Sequence, residues 1–295
     1  MSLILKNKVY TVIVTPFDQK NNIDYESINT MLQYQLCNNI KGILLLGTTS
    51  ESPTLNLQEK QNIVTYVWEK YGQDFEILVG IGGNNTRQVK LFGDFVKDKC
   101  HGFMITVPNY NKPSQQGIFQ HFDYLAKTFS DKPILMYNIP SRCGVNMSPD
   151  IIRDLFFANK NIIGIKEASG SLEQAIQIKN LCDIKIFSGD DSLILPILAI
   201  GGVGVVSVAS NIIPQQILNI INLFHENFEQ SQKEYYKYHE LIKSLFITTN
   251  PVPVKYILKY MELTKTDNVR LPLVKMNSDE DFKLINHKCN ILSLN

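Results

Sequence analysis

Eight short apolar runs rich in valine and isoleucine recur along the chain: Val9 to Thr15, Gly42 to Leu46, Ile77 to Ile81, Gly102 to Val107, Ile134 to Asn138, Ile162 to Lys166, Lys185 to Ser188 and Gly204 to Val208. Longer segments with helical periodicity separate them, a pattern that predicts βα repetition and a parallel sheet. Eight units are the number that closes a (β/α)8 barrel, which takes about 250 residues and leaves a C-terminal remainder here. An open doubly wound sheet accounts for the same alternation, which does not by itself separate closure from an edge. Helix starts are marked by Asn56 before Leu57, by Ser114, by Ser148-Pro149 and by Ser192, each an N-cap type or an early proline. The expected division is a barrel over residues 1–224 and a helical region over residues 225–295. In the latter, Glu226 to Phe246 reads as one amphipathic helix, Asn250-Pro251-Val252-Pro253 as a break, and Val254 to Leu263 as another helix.

Charge narrows the partners. Lysine and arginine total 29 against 28 acids, with no run of one sign, so neither nucleic acid nor a membrane surface is indicated and a small molecule is the expected partner. Five cysteines, Cys37, Cys100, Cys143, Cys182 and Cys289, are odd in number and scattered, which fits reduced thiols in a cytosolic protein. The N-terminus has too short an apolar run for a secretory signal and no stretch is long enough to span a bilayer, so the expected location is cytoplasmic. His101, His121, His225, His239 and His287 show no ligand spacing, which disfavours a metal even beside Asp190-Asp191.

Lys166 is the residue that most directly suggests chemistry, because it closes the apolar run Ile162-Ile163-Gly164-Ile165. Side chains alternate along a strand, so Lys166 shares a face with Gly164 and Ile162. An ammonium among apolar neighbours loses hydration, which lowers its pKa and raises the fraction of free amine able to attack a carbonyl. A solvated lysine at a strand end is the ordinary alternative, and only its surroundings decide.

In a (β/α) barrel the active site lies at the C-terminal ends of the strands. The second run ends in Gly47-Thr48-Thr49-Ser50-Glu51-Ser52, whose amides and hydroxyls can donate to a carboxylate, although the segment also reads as a turn capped by threonines. The fifth ends in Tyr137-Asn138-Ile139-Pro140-Ser141-Arg142-Cys143, bringing a phenol able to relay protons and a guanidinium fork suited to a carboxylate. Each has a bland reading too, Tyr137 as a core aromatic and Arg142 as a surface cation. The fourth run leads into Asn109-Tyr110-Asn111-Lys112. The seventh ends in Ser188-Gly189-Asp190-Asp191, and the eighth spans Gly204-Val205-Val206-Ser207; their glycines admit close backbone approach, and neither resembles a phosphate-binding loop.

In this order, Gly47 to Ser52, Tyr137 to Arg142, Gly164-Ile165-Lys166-Glu167-Ala168 and Ser188 to Asp191 resemble the dihydrodipicolinate synthase family, from about Val9 to Lys255. The resemblance implies a barrel with a C-terminal helical extension and a lyase that uses no cofactor or metal. Lys166 would form an imine with pyruvate, and the derived enamine would attack aspartate semialdehyde, giving hydroxy-tetrahydrodipicolinate. It further implies a proton relay of Tyr137, Thr48 and Tyr110, the last reaching in from a neighbouring subunit. Thr49 would hold the pyruvate carboxylate, Arg142 the semialdehyde, and Gly189 and Val206 would offer backbone carbonyls near the lysine. The implied assembly is a homotetramer built from tight dimers.

The sequence departs from the family pattern in places. Ser50 replaces a glycine, Cys143 a threonine, and Asn109 an aromatic residue of the dimer interface. A serine held at positive φ would strain the loop carrying Thr48 and Thr49. Many family members are inhibited by lysine at the tight-dimer interface. Ser52 and Asn84 match that site, but Leu57 and Lys60 stand at its histidine positions, Gln88 at its acid and Asn109 at its tyrosine, so insensitivity is expected. The competing functions are N-acetylneuraminate lyase, which shares the lysine and tyrosine but lacks the arginine, another keto-acid aldolase, or a barrel kept only for binding.

Overall fold

Each of the eight apolar runs forms a strand, and the strands pair in chain order into a closed barrel, so the open-sheet alternative falls away. The computed structural model describes residues 5–276. Its strands and α-helices run β1 (Val9–Val12), α1 (Tyr25–Cys37), β2 (Gly42–Leu45), α2 (Leu57–Tyr71), β3 (Glu76–Gly80), α3 (Thr86–Val96), β4 (Gly102–Thr106), α4 (Gln115–Thr128), β5 (Ile134–Asn138), α5 (Pro140–Cys143), α6 (Pro149–Ala158), β6 (Ile162–Glu167), α7 (Leu172–Leu181), β7 (Lys185–Ser188), α8 (Ile194–Ala199), β8 (Gly204–Ser207), α9 (Pro214–Glu226), α10 (Phe228–Ser244) and α11 (Val252–Tyr260). Those past β8 are the C-terminal helices of a (β/α)8 fold.

Local chemistry sets most helix starts where the sequence marks them. Asn56 and Glu59 cap α2 reciprocally, each side chain accepting from the other's backbone N–H at 2.9 Å. Ser114 accepts from Gly117 N, and Ser148 from Ile151 N with Pro149 in the first turn, where its missing N–H goes unneeded. Ser192 does not cap a helix. It lies inside a 3₁₀ turn, Asp191–Leu193, closed by Leu193 N donating to Asp190 O, and α8 starts only after that turn. In the C-terminal part, Glu226 closes α9 rather than opening the next helix. Asn227 then caps α10 by accepting from Gln230 N. Pro251 and Pro253 initiate α11 instead of breaking the chain, since a proline is tolerated before and within a first turn.

The chain divides into two compact units, one of Gln61–Val206 with the described residues before Val9, the other of Val9–Lys60 with the described residues from Ser207 on. In the first, β4, β5, β6 and β7 carry parallel registers that set Tyr137 opposite Lys166 and Lys166 opposite Phe187. Phe103 and Phe129 pack edge to face with ring centroids 4.9 Å apart. Space is tight at Gly164, where a Cβ would stand 3.0 Å from Leu135 Cδ1 and 3.1 Å from the Lys185 carbonyl. The strand face before Lys166 is therefore filled by a neighbour from β5.

The second unit is organised around buried charge. Lys255, in the first turns of α11, is 1 % exposed and donates to Glu51 Oε1 at 2.6 Å, while Arg270 N donates to Glu51 Oε2 at 3.0 Å. The Arg270 guanidinium forks onto Glu59 at 2.6 and 2.8 Å. Phe17 meets both cations, its ring centroid 4.1 Å from Lys255 Nζ and 4.3 Å from Arg270 Cζ. Burial pulls the Lys255 pKa down to about 8, against the opposing pull of the Glu51 carboxylate. The pair fixes the loop that follows β2 from its far end. Breaking a buried pair from one side strands a charge, so Lys255→Met should lower stability by about 3–5 kcal/mol in denaturant titrations. Adding Glu51→Leu should recover most of that loss; a double variant as weak as the single would show that packing, not the stranded carboxylate, sets the cost.

Candidate active site

Lys166 sits at the C-terminal end of β6 with 5 % of its surface exposed, and its Nζ lies 4.3 Å from the centroid of the Tyr137 ring, which β5 holds in register opposite it. Loss of hydration pulls its pKa from 10.5 to about 8. Asp190 and Asp191 oppose that shift and Arg142 adds to it, so all three lie within its field. At pH 7 the amine is mostly protonated, but its free fraction far exceeds that of a solvated lysine. Asp190 is half-buried, and burial raises its carboxyl pKa while Lys166 lowers it. The Asp190-Asp191 pair thus works as counter-charge to a buried amine. Among the described residues no group of three histidines, cysteines or acids is placed to hold a metal ion.

Polar groups behind the strands hold the lysine's backbone. Glu167 is buried next to it, and its carboxylate accepts from Asn138 Nδ2 at 3.1 Å, Ser169 N at 2.7 Å and Gln174 Nε2 at 3.0 Å. Asn138 also donates to Asn146 Oδ1 at 2.8 Å and accepts from Met147 N at 3.1 Å. The carboxylate therefore ties the ends of β5 and β6 to α7. The backbone ladder continues beyond the strands, with Ala168 N donating to Asn138 O and Gly189 N to Glu167 O. Gly189 has to be a glycine: a Cβ there would stand 2.4 Å from Ala168 Cβ and 2.9 Å from Glu167 O. Val206 is fully buried in β8, two residues past Gly204, which pairs with Phe187 of β7.

Arg142 is exposed on the short helix α5 that Pro140 opens, where its charge reaches the field of Lys166. Cys143 is buried, donates to Val107 O at 3.2 Å, and has its thiol pushed up to about 11 by burial, so it stays protonated. Tyr110 stands apart, 87 % exposed at φ 65° in the loop after β4. The chain itself does not bring it into a buried cluster.

In the other unit, Thr48 and Thr49 follow the C-terminal end of β2. Thr48 is half-buried; Thr49 is 2 % exposed, and its hydroxyl accepts from Asn250 Nδ2 at 3.0 Å. The strain expected at Ser50 is absent there, because the positive φ values fall on Leu46 (58°) and Glu51 (52°). Ser50 uses its hydroxyl instead, donating to Ile13 O at 2.6 Å, while Thr15 donates to Ser50 O at 2.7 Å. The serine thus cross-links the loop to the segment after β1. Sequence reading missed Asn250, Lys255 and the anchoring role of Glu51. Only the unusual Asn250-Pro251-Val252-Pro253-Val254-Lys255 run signals them, and it reads first as a chain break.

The model of the dihydrodipicolinate synthetase family matches residues 6–287. The chain belongs to this family. It is 40% identical over 279 residues to the 4-hydroxy-tetrahydrodipicolinate synthase of Endomicrobium trichonymphae, covering 94% of this chain and 95% of that protein. The solved dihydrodipicolinate synthase of Thermotoga maritima superposes with a TM-score of 0.92 at 34% identity, covering 98% of this chain and 99% of the other. The family enzyme of Cyanidioschyzon merolae, solved with lysine bound, superposes with a TM-score of 0.93 at 33% identity, with 98% of both chains covered.

The junction at Gly189 yields a direct test. Gly189→Ala forces the end of β6 to move, and overpacking of this kind costs about 1–3 kcal/mol, readable as a fall in the denaturation midpoint. A loss under about 0.5 kcal/mol would mean that the contact between Gly189 and Ala168 yields freely.

Proposed function

We propose that the protein condenses pyruvate with L-aspartate 4-semialdehyde, giving 4-hydroxy-tetrahydrodipicolinate through an imine on Lys166. The observation that carries this reading is a buried lysine with its pKa drawn to about 8, set against a tyrosine ring at the end of a barrel strand. The free amine adds to the pyruvate keto carbon and water leaves. The resulting iminium acidifies the methyl group and serves as the electron sink, so the chemistry needs no metal or other cofactor. A methyl proton passes to a relay of Tyr137, Thr48 and Tyr110, and the enamine carbon attacks the aldehyde carbon. The amino group of the semialdehyde then closes the ring onto the imine carbon and expels Lys166 as the free amine.

Thr49 holds the pyruvate carboxylate, Arg142 forks onto the carboxylate of the semialdehyde, and the Gly189 and Val206 carbonyls lie near the lysine. The exposure of Tyr110 supports its service to a neighbouring subunit of a homotetramer built from tight dimers. A cytoplasmic location and a place in diaminopimelate and lysine biosynthesis follow from this reading, and no nucleic acid or membrane partner is involved.

The deciding experiment supplies pyruvate with either aspartate semialdehyde or N-acetylneuraminate in coupled assays. Turnover with the semialdehyde is expected; cleavage of N-acetylneuraminate alone would replace this reading with that of the lyase. Arg142→Ala should raise KM for the semialdehyde, or lower the rate, by at least about tenfold (about 1.4 kcal/mol) while imine formation persists. Unchanged kinetics would point to a different second substrate.

Lysine should not regulate the enzyme. Leu57 and Lys60 occupy the positions of the site's histidines, and the acid position holds Gln88, so an incoming ammonium meets a like charge and no carboxylate. Titration with lysine at subsaturating pyruvate should leave the rate unchanged, and half-inhibition below about 1 mM, equivalent to roughly 4 kcal/mol of binding, would show that other residues rebuild the site.

A further inference from the structure

Asn250 is a buried amide with one of its two polar ends satisfied. Nδ2 donates to Thr49 Oγ1 at 3.0 Å, whereas Oδ1 is buried without a hydrogen-bond partner among the described residues, in a side chain 7 % exposed. An orphaned amide oxygen is costly. The surroundings hold the residue there nonetheless. Val252 N donates to Thr249 O at 2.9 Å and Lys255 N to Pro251 O at 3.0 Å, so Asn250 is fixed just ahead of the first turn of α11. That turn is pinned in turn by the bond of Lys255 Nζ to Glu51 Oε1 at 2.6 Å. Thr49 and Glu51 belong to one loop, so the start of α11 grips that loop at two points.

The direction of the Asn250 bond matters. A threonine hydroxyl has one proton to donate and lone pairs to accept with. By accepting from Asn250, Thr49 keeps its proton for another partner. An ionised carboxylate, which only accepts, is the complementary partner. The opposite amide orientation would draw that proton to Oδ1 and present lone pairs to the ligand.

We infer that Asn250 is a positioning residue for pyruvate: its amide holds the Thr49 hydroxyl as an acceptor, so that the hydroxyl proton is aimed at the substrate carboxylate. This rests on the role of Thr49 in the proposed function. It makes the C-terminal helical part of the chain a contributor to substrate recognition.

The test measures how much borohydride-trapped adduct forms on Lys166 as pyruvate is varied, by peptide mass spectrometry, together with KM for each substrate. Asn250→Ala should raise the half-saturating pyruvate concentration about tenfold, the worth of one hydrogen bond, with KM for aspartate semialdehyde within about twofold. Asn250→Asp, its isostere, should raise it further, because a carboxylate takes the Thr49 proton and repels the substrate. In a Thr49→Val background, Asn250→Ala should add nothing. Pyruvate dependence that stays unchanged while the melting temperature falls, or an equal effect of Asn250→Ala with and without Thr49, would overturn the inference. If Asn250→Ala does not fold, the Asn250→Asp curve decides. A parent protein that forms no adduct on Lys166 overturns both readings; a parent that does, with variant curves superimposed on its own, overturns only this one.

Discussion

The lost hydration of one ammonium is the constraint around which the site is arranged. Lys166 at the end of β6 is nearly sealed from solvent, and burial alone would drive its charge off. Asp190 and Asp191 restrain that drift and Arg142 reinforces it, leaving the pKa at about 8. Lys255 shows what happens under equal burial with a different partner. Its pKa also falls to about 8, but its nitrogen is bonded to the Glu51 carboxylate at 2.6 Å and held as half of an ion pair. Lys166 instead faces the ring of Tyr137, whose π-face tolerates a cation without engaging the nitrogen lone pair of the neutral form. One buried lysine is held in an ion pair, and the other lies against an aromatic ring.

The placement of that nitrogen depends on the groups that tie the strand ends together. The Glu167 carboxylate draws Asn138, Ser169 and Gln174 together behind the strand ends, and Gly189 lets the chain after β7 run against Ala168. In the other unit, Glu51 does the same for the loop carrying the threonines. Acidic residues thus anchor both loops through buried hydrogen bonds. Loops fixed in this way keep their hydroxyls and amides oriented before a ligand arrives, which is where electrostatic catalysis gains most.

Much of this was legible in the sequence because local patterns carried it. Valine and isoleucine runs mark the strands, and Asn56, Ser114 and Ser148 cap helices through bonds that lie within a few residues. Lys166 was visible because a charged residue ends an apolar run. What escaped depends on long-range contacts. Nothing near Asn250 or Lys255 says that their partners are Thr49 and Glu51, about two hundred residues away. Ser50 stands where the family has a glycine, which raised the question of a positive φ there, yet the positive φ angles sit on Leu46 and Glu51. Ser192 carried a cap signal that was overridden by the 3₁₀ turn closed at Asp190. The last part of the expected helical region, from Asn277 on, lies outside the described residues.

Burial sets the Lys166 amine apart from ordinary lysines, and its titration measures this directly. Protein carrying ¹³C at the lysine ε-carbons can be followed by NMR from pH 6 to 11, with the Lys166 signal identified by its loss in Lys166→Met. A midpoint near 8 is expected. A midpoint at 10 or above, the range of solvated lysines, would contradict it.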